Sequence, residues 1–213
     1  MKKQILFLGL VSLLLFSFTS DKPAYMLYNS EGKKVKYDKM IEAVSTANVV
    51  FFGELHDNPI AHWLEYEVTA DLYKIAGDRL VQGAEMFEAD NQLLLDEYLS
   101  AAYEADKFEA EAKLWKNYKT DYKPLVEFAK KNKLPFIATN VPRRYASVVS
   151  KNGLEALEQL PAEARNYIAP LPIFYDPEVK SYKDMMEMGG MPGMGGKPNE
   201  NFPKAQAIKD ATM

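Results

Sequence analysis

The chain has 213 residues, of which 47% are hydrophobic and 26% are charged, and its formal net charge is −4. These are ordinary values for a globular protein, and without a basic stripe interleaved with aromatic residues nucleic acid is not an expected partner. The absence of cysteine excludes disulfides, thiolate metal sites, cysteine nucleophiles, iron–sulfur clusters and a lipid-modified N-terminus.

Residues 1–20 have the pattern of a secretory signal peptide. Two lysines follow Met1, residues 5–18 are uncharged and almost wholly apolar, and small residues come next. The apolar segment is short for a bilayer core of about 30 Å, so a membrane anchor is the weaker alternative. We therefore expect an exported protein of the periplasm or cell envelope, not a lipoprotein, in which residues 21–213 form a single domain.

Strands and helices are predicted to alternate after a short lead-in. Because such alternation favours parallel strands joined by crossover helices, we expect an α/β fold with a mostly parallel sheet and helices on both faces. The long connection between the second and third strands predicts a helical cap insertion. The predicted strands cover 48–54, 79–87 and 134–140, and the predicted helices cover 37–47, 59–76, 89–102, 108–113, 123–131 and 143–151.

The later part of the chain has a weaker pattern. Residues 185–196 contain half of the ten methionines among several glycines, which argues against a helix or strand and predicts a loop. This Met/Gly-rich loop, with Met188, is interpreted as a haem-contacting lid, a thioether copper site or a flexible insertion. Residues 205–213 are predicted to be helical with no stop signal, so we expect the last strand or strands of the fold to be missing.

Ionisable side chains lie at the ends of the first two predicted strands. Glu54 and His56 follow the apolar run 48–52, and Glu85 lies near the end of the second strand. Because the carboxyl ends of parallel strands meet at one edge of a sheet, we expect these three residues to share a site. Two carboxylates and an imidazole can hold a divalent ion such as Mn, Co, Fe or Zn, or act as general acid and base. Capping of helix N-termini is the alternative role for the two carboxylates.

Three further residues are candidate ligands. His62 lies off the apolar stripe of its predicted helix, which predicts either solvent exposure or contact with a bound metal or haem. Arg143 begins a helix after the third strand, where its guanidinium suits a haem propionate, another anion or a structural salt bridge. Tyr182 is a candidate phenolate ligand of ferric haem.

Several segments, in order, resemble the ChaN-like family of iron-regulated haem-binding proteins, which belongs to a superfamily with the Tiki and TraB proteins and the erythromycin esterases. In the enzyme branches of that superfamily, the Gly-x-x-His and second-strand Glu positions serve metal-dependent hydrolysis, and they correspond here to His56 and Glu85, with Glu54 alongside. The family continues to a further strand and a late histidine, so the resemblance implies that this chain is incomplete at its C-terminus. The matching segments are 53–59, 85–87, 122–127, 140–143 and 205–213.

The resemblance implies an exported protein that binds haem and takes part in haem or iron uptake. The residues expected to contact haem are His56, His62, Arg143, Tyr182 and Met188. A metal-dependent hydrolase of the peptidase or esterase type, using Glu54, His56 and Glu85, is the alternative, and a module that only binds a protein is a third hypothesis. Candidate partners are a haem-delivery or outer-membrane uptake protein and a second copy of the chain.

Overall fold

The computed structural model describes residues 22–189 and 199–213, so the predicted signal peptide lies outside the described residues. The chain divides into a first unit, Met1–Val68, and a second unit, Thr69–Met213. Among the helices of the described ranges, none combines the length and the apolar character that a membrane crossing requires.

The first unit contains a small hairpin and two helix-forming segments. Strands β1 (Leu27–Tyr28) and β2 (Lys34–Val35) pair antiparallel. Helix α1 covers Tyr37–Val44, and helix α2 (Pro59–Ala76) begins in this unit. The side-chain oxygen of Asn58 accepts the backbone N–H groups of two residues in the first turn of α2, at 3.0 and 3.1 Å. This is the N-cap that an Asn-Pro pair predicts.

The strand predicted over 48–54 is wrong. These residues are irregular, and Val49 and Phe51 are 66% and 82% exposed. The prediction rested on an apolar run, which is typical of buried parallel strands. A strand also needs a neighbour that pairs with its backbone N–H and C=O groups, and among the described residues the sheets contain only β1 with β2 and β3 with β4.

The second unit is built on a parallel pair of strands, which confirms the α/β class. Strands β3 (Gln82–Glu88) and β4 (Phe136–Asn140) pair from Gln82 opposite Phe136 to Glu88 opposite Asn140, with an irregularity after Ala84. The Asn140 side chain donates to the backbone oxygen of Glu85 at 2.9 Å. The two strands are therefore linked by a side chain at the point where their regular register breaks.

The predicted helical insertion between these two strands is present. Its elements are α3 (Gln92–Leu99), α4 (Ala105–Glu111), a π-helical turn (Tyr118–Tyr122) and α5 (Lys123–Asn132). Aromatic rings from the insertion pack on the strands. The Phe87 ring lies 6.1 Å from that of Phe108 and 5.6 Å from that of Phe136, so one part of the core is an aromatic cluster that joins the insertion to the sheet.

The open edge of β4 is closed by a side chain instead of a third strand. The Gln92 amide donates to the Phe136 carbonyl at 2.9 Å and accepts the Ala138 N–H at 2.7 Å. Both backbone groups belong to buried residues, where an unsatisfied polar group is costly. Gln92 thus takes the place of two ladder hydrogen bonds.

Removing this amide should destabilise the protein. Gln92→Ala leaves two buried backbone groups without their partner, so we expect the free energy of unfolding to fall by about 1–3 kcal/mol. Denaturant unfolding measures this change. Gln206→Ala, which removes only an exposed contact with Asp210, is the control and should change stability by less than about 0.5 kcal/mol. Equal losses for the two variants would contradict the edge-closing role.

The last part of the chain forms α6 (Arg143–Asn152), two short 3₁₀ segments (Leu154–Gln159 and Ala162–Tyr167), α7 (Lys180–Gly189) and α8 (Phe202–Thr212). Helices α6 and α8 contribute to a second hydrophobic cluster, in which Val149, Leu157 and Ile208 are fully buried.

The Met/Gly-rich loop predicted over 185–196 is corrected in its first part. Helix α7 continues through residue 189, and residues 190–198 lie outside the described residues. An ion pair one turn apart, between Lys180 and Asp184 at 2.5 Å, supports the helix. Glycine at a helix C-terminus is well tolerated, so Gly189 as the last residue is compatible with this helix.

Candidate functional site

Two carboxylates and one imidazole converge in the first unit. Glu54 is the last residue of the irregular segment 48–54, and His62 and Glu65 lie on successive turns of α2. The His62 Nδ1 atom is 3.6 Å from Glu54 Oε2 and 3.5 Å from Glu65 Oε2. One ligand atom from each residue lies within 4.8 Å of the others, which is close enough for three donors to surround one ion.

His62 is buried, at 4% exposure, so the solvent-exposed position considered from the helix pattern is wrong. The ring Nε2 lies 3.0 Å from the backbone oxygen of His56. His62 lies off the apolar stripe of its helix, but the loop before the helix folds over that face and buries the ring. Of the predicted apolar stripe only Val68 is buried.

Glu65 is the residue of this cluster that the sequence analysis missed. Burial, and to a lesser extent the negative charge of Glu54, raise the pKa of Glu65 to about 7, against the opposing effect of His62. A carboxyl group with such a pKa marks a buried place with a second negative charge nearby. The spacing His62-x-x-Glu65 puts both side chains on one helix face, and this spacing was the available signal.

His56 lies beside the same cluster. Its Nδ1 atom is 3.6 Å from Glu54 Oε2, and its side chain is 55% exposed. The structure therefore brings Glu54 and His56 together within the first unit. Glu85 lies on β3 in the second unit, and a site that it shares with Glu54 and His56 stays a prediction.

The second unit has a cleft at the carboxyl end of its strands. Its volume is about 400 Å³, within the usual range of roughly 300–1,000 Å³ for ligand pockets. Glu88 is the last residue of β3 and Arg143 the first of α6, so the cleft is at the edge where parallel strands present ligand sites. The residues that line it are Glu88, Lys113, Leu114, Trp115, Arg143 and Arg144.

Two of the three cations around the cleft are held by carboxylates. Arg144 pairs with Asp90, and Lys113 lies 3.2 Å from Glu88 and 3.3 Å from Asp90. Burial raises the pKa of Asp90, but Arg144 and Lys113 outweigh it and hold that pKa below its ordinary value. Arg143 makes no ion pair or side-chain hydrogen bond within residues 22–189 and 199–213, which leaves its donors available to an anionic ligand.

The two remaining candidates, Tyr182 and Met188, both lie on α7. The Tyr182 hydroxyl donates to Asp210 at 2.8 Å. Burial first, and then the Asp210 carboxylate, raise the pKa of Tyr182 to about 12, so the phenolate is disfavoured near neutral pH. The Met188 side chain lies outside the described residues, and its contact with haem stays a prediction.

Comparisons with known proteins define the family. The family model described as haem-binding uptake, Tiki superfamily, ChaN matches residues 40–213. The chain therefore belongs to the ChaN family of haem-binding proteins. The structure described as cofacial heme binding to ChaN of Campylobacter jejuni shares the fold, with a TM-score of 0.62 and 17% identity over 90% of this chain and 74% of that one. No curated protein matches the chain.

Proposed function

We propose that this protein is exported, binds haem and takes part in haem or iron uptake. The observation that carries the proposal is the match of residues 40–213 to a haem-binding family. The signal-peptide pattern of residues 1–20 supports export. Haem, when bound, would supply the iron that the pathway handles, and the protein would supply its contacts and its orientation.

The cleft of the second unit fits the edge of a haem. Haem is a flat apolar ring with two carboxylate tails, so it requires apolar surface beside cationic donors. Leu114 and Trp115 provide the apolar surface, and Arg143 provides a planar guanidinium that suits a carboxylate. The Glu88 carboxylate would repel a propionate, but Lys113 neutralises it at 3.2 Å.

Two side chains are candidates for the axial ligand of the haem iron, His56 in the first unit and Tyr182 in the second. His56 presents an exposed imidazole, and imidazole is a common axial ligand of haem iron. Tyr182 would have to lose a proton from a group with a pKa of about 12 that donates to Asp210. We therefore propose His56, within the first unit, as an axial ligand in preference to Tyr182, and this proposal is separate from the one for the cleft of the second unit.

A hemin titration tests the proposal. Purified full-length protein should give a saturable shift of the Soret band with a defined stoichiometry. Apo-protein unfolded in denaturant is the control for non-specific adsorption of hemin and should give no saturable shift. A linear response for the folded protein would overturn the haem-binding role. Cell fractionation with an antibody tests export separately, and retention of the full-length chain in the cytoplasm would contradict it.

Replacement of the two proposed ligands should separate them. We expect His56→Ala to displace the Soret maximum of the bound hemin and to weaken binding by about tenfold or more, because an iron–imidazole bond is lost. Tyr182→Phe should keep the wild-type spectrum. If Tyr182→Phe alters the spectrum and His56→Ala does not, then the phenolate is the ligand and the assignment of His56 is wrong.

A further inference from the structure

The first unit contains a group of metal-binding side chains that is separate in its residues from the cleft proposed for haem. It consists of Glu54, His62 and Glu65, of which His62 is buried and the two glutamates are largely buried. We propose that these three residues bind one divalent first-row transition metal ion, such as Zn²⁺ or Mn²⁺. This set differs from the predicted trio because Glu65 and His62 replace Glu85 and His56.

The distances within the cluster fit shared coordination of an ion. Ligands at about 2.1 Å from a tetrahedral metal are separated from one another by about 3.4 Å. The His62 Nδ1 atom lies 3.6 and 3.5 Å from the two carboxylate oxygens. These two nitrogen–oxygen separations are close to those between metal ligands, and all three ligand atoms lie within 4.8 Å of one another.

The hydrogen bonding of His62 orients its ring for metal binding. Its Nε2 atom lies 3.0 Å from the backbone oxygen of His56, and a carbonyl can only accept, so Nε2 carries the hydrogen. In the neutral ring Nδ1 then has its lone pair directed to the two carboxylates. Metal-binding histidines typically donate their second nitrogen to a carbonyl or carboxylate, which orients the ring.

The charge of the cluster also favours a cation. Two carboxylates, those of Glu54 and Glu65, lie close to one another in a largely buried place. A divalent ion relieves this repulsion in the way that a proton does, and more strongly. One nitrogen and two oxygens suit zinc, manganese or ferrous iron better than copper(I), which prefers sulfur ligands. Three protein ligands leave a coordination position for water.

Metal titration of the full-length chain, produced without a polyhistidine tag and treated with a chelator, tests the site. Isothermal titration with Zn²⁺, and separately with Mn²⁺, should show one equivalent of bound ion for the wild type. Glu65→Gln should weaken that binding by at least about tenfold, because an anionic ligand is lost. The matched control is Glu67→Gln on the same helix, which makes the same change of charge outside the cluster and should bind as the wild type does.

Folding and metal binding are measured independently. Circular dichroism shows whether Glu65→Gln is folded, and if it is not, Glu54→Gln is used in its place. Bound Zn²⁺ should also raise the midpoint of thermal unfolding of the wild type but not of the Glu65→Gln variant. No ion bound to the wild type, or equal affinities of the Glu65→Gln and Glu67→Gln variants, would overturn the proposal. A hemin titration of Glu65→Gln reports on the haem proposal separately and should match the wild type.

Discussion

Arg143→Glu should weaken hemin binding by about 10- to 100-fold. Arg143 lines the cleft at the carboxyl end of the strands, and its side chain pairs with no carboxylate within residues 22–189 and 199–213. A charge-assisted hydrogen bond to a propionate contributes about 1.5–3 kcal/mol. The substitution removes that bond and adds a repelling charge at the same place.

The affinity is measured by fluorescence quenching of the tryptophans or by the Soret shift as hemin is added. Lys151→Glu is the matched control, because it makes the same change of charge near the other end of α6. That variant should bind hemin as the wild type does. An Arg143→Glu variant with unchanged affinity would show that the propionates bind elsewhere, while the hemin titration of the wild type would still stand.

Tyr98→Ala should lower the free energy of unfolding by about 3–5 kcal/mol. The Tyr98 ring is buried and stacks on Phe108, with the ring centroids 4.7 Å apart and the planes nearly parallel. The Lys130 ammonium lies 3.7 Å from the centre of the ring, and the hydroxyl donates to Glu127 at 2.5 Å. Truncation leaves a large cavity between α3, α4 and α5 and removes the donor from a carboxylate.

Denaturant unfolding followed by circular dichroism measures this loss. Tyr98→Phe keeps the ring and removes only the hydroxyl, so its loss should be smaller, at about 1–3 kcal/mol. Phe174→Ala is the control, because Phe174 is 85% exposed and its removal should change stability by less than about 0.5 kcal/mol. Losses of equal size for Tyr98→Ala and Phe174→Ala would show that the aromatic cluster is not part of the core.

Most helices were predictable from local sequence. Residues 59–76, 123–131 and 143–151 were predicted as helices, and the structure has helices within one residue of those bounds. Each has a local signal at an end, such as the Asn58-Pro59 start or Gly153, whose φ of +83° only glycine adopts easily. The parallel pair β3 and β4 followed from the alternation of elements, with ends shifted by at most three residues.

The site was less predictable. Glu54 and His56 were singled out from their sequence neighbours, and the structure places them together. Glu65 was missed and His62 was misplaced, because their burial depends on the loop that folds over α2. Lys113 and Trp115 belong to the insertion, about 25 residues after β3, and they line the cleft together with Arg143. Hydrophobic periodicity relates only residues within one helix or strand, so it could not predict that these residues meet.

The sequence by itself determined most of the helices, the parallel pair of strands and the family, since these depend on residues close in the chain and on short motifs. Only the tertiary structure decided that residues 48–54 do not form a paired strand, that Gln92 closes the edge of β4, and that Glu54, His62 and Glu65 converge. The reason is physical. Strand pairing, burial and metal-ligand geometry each require groups from separate parts of the chain to meet, and the pattern of one segment holds no information about its partner.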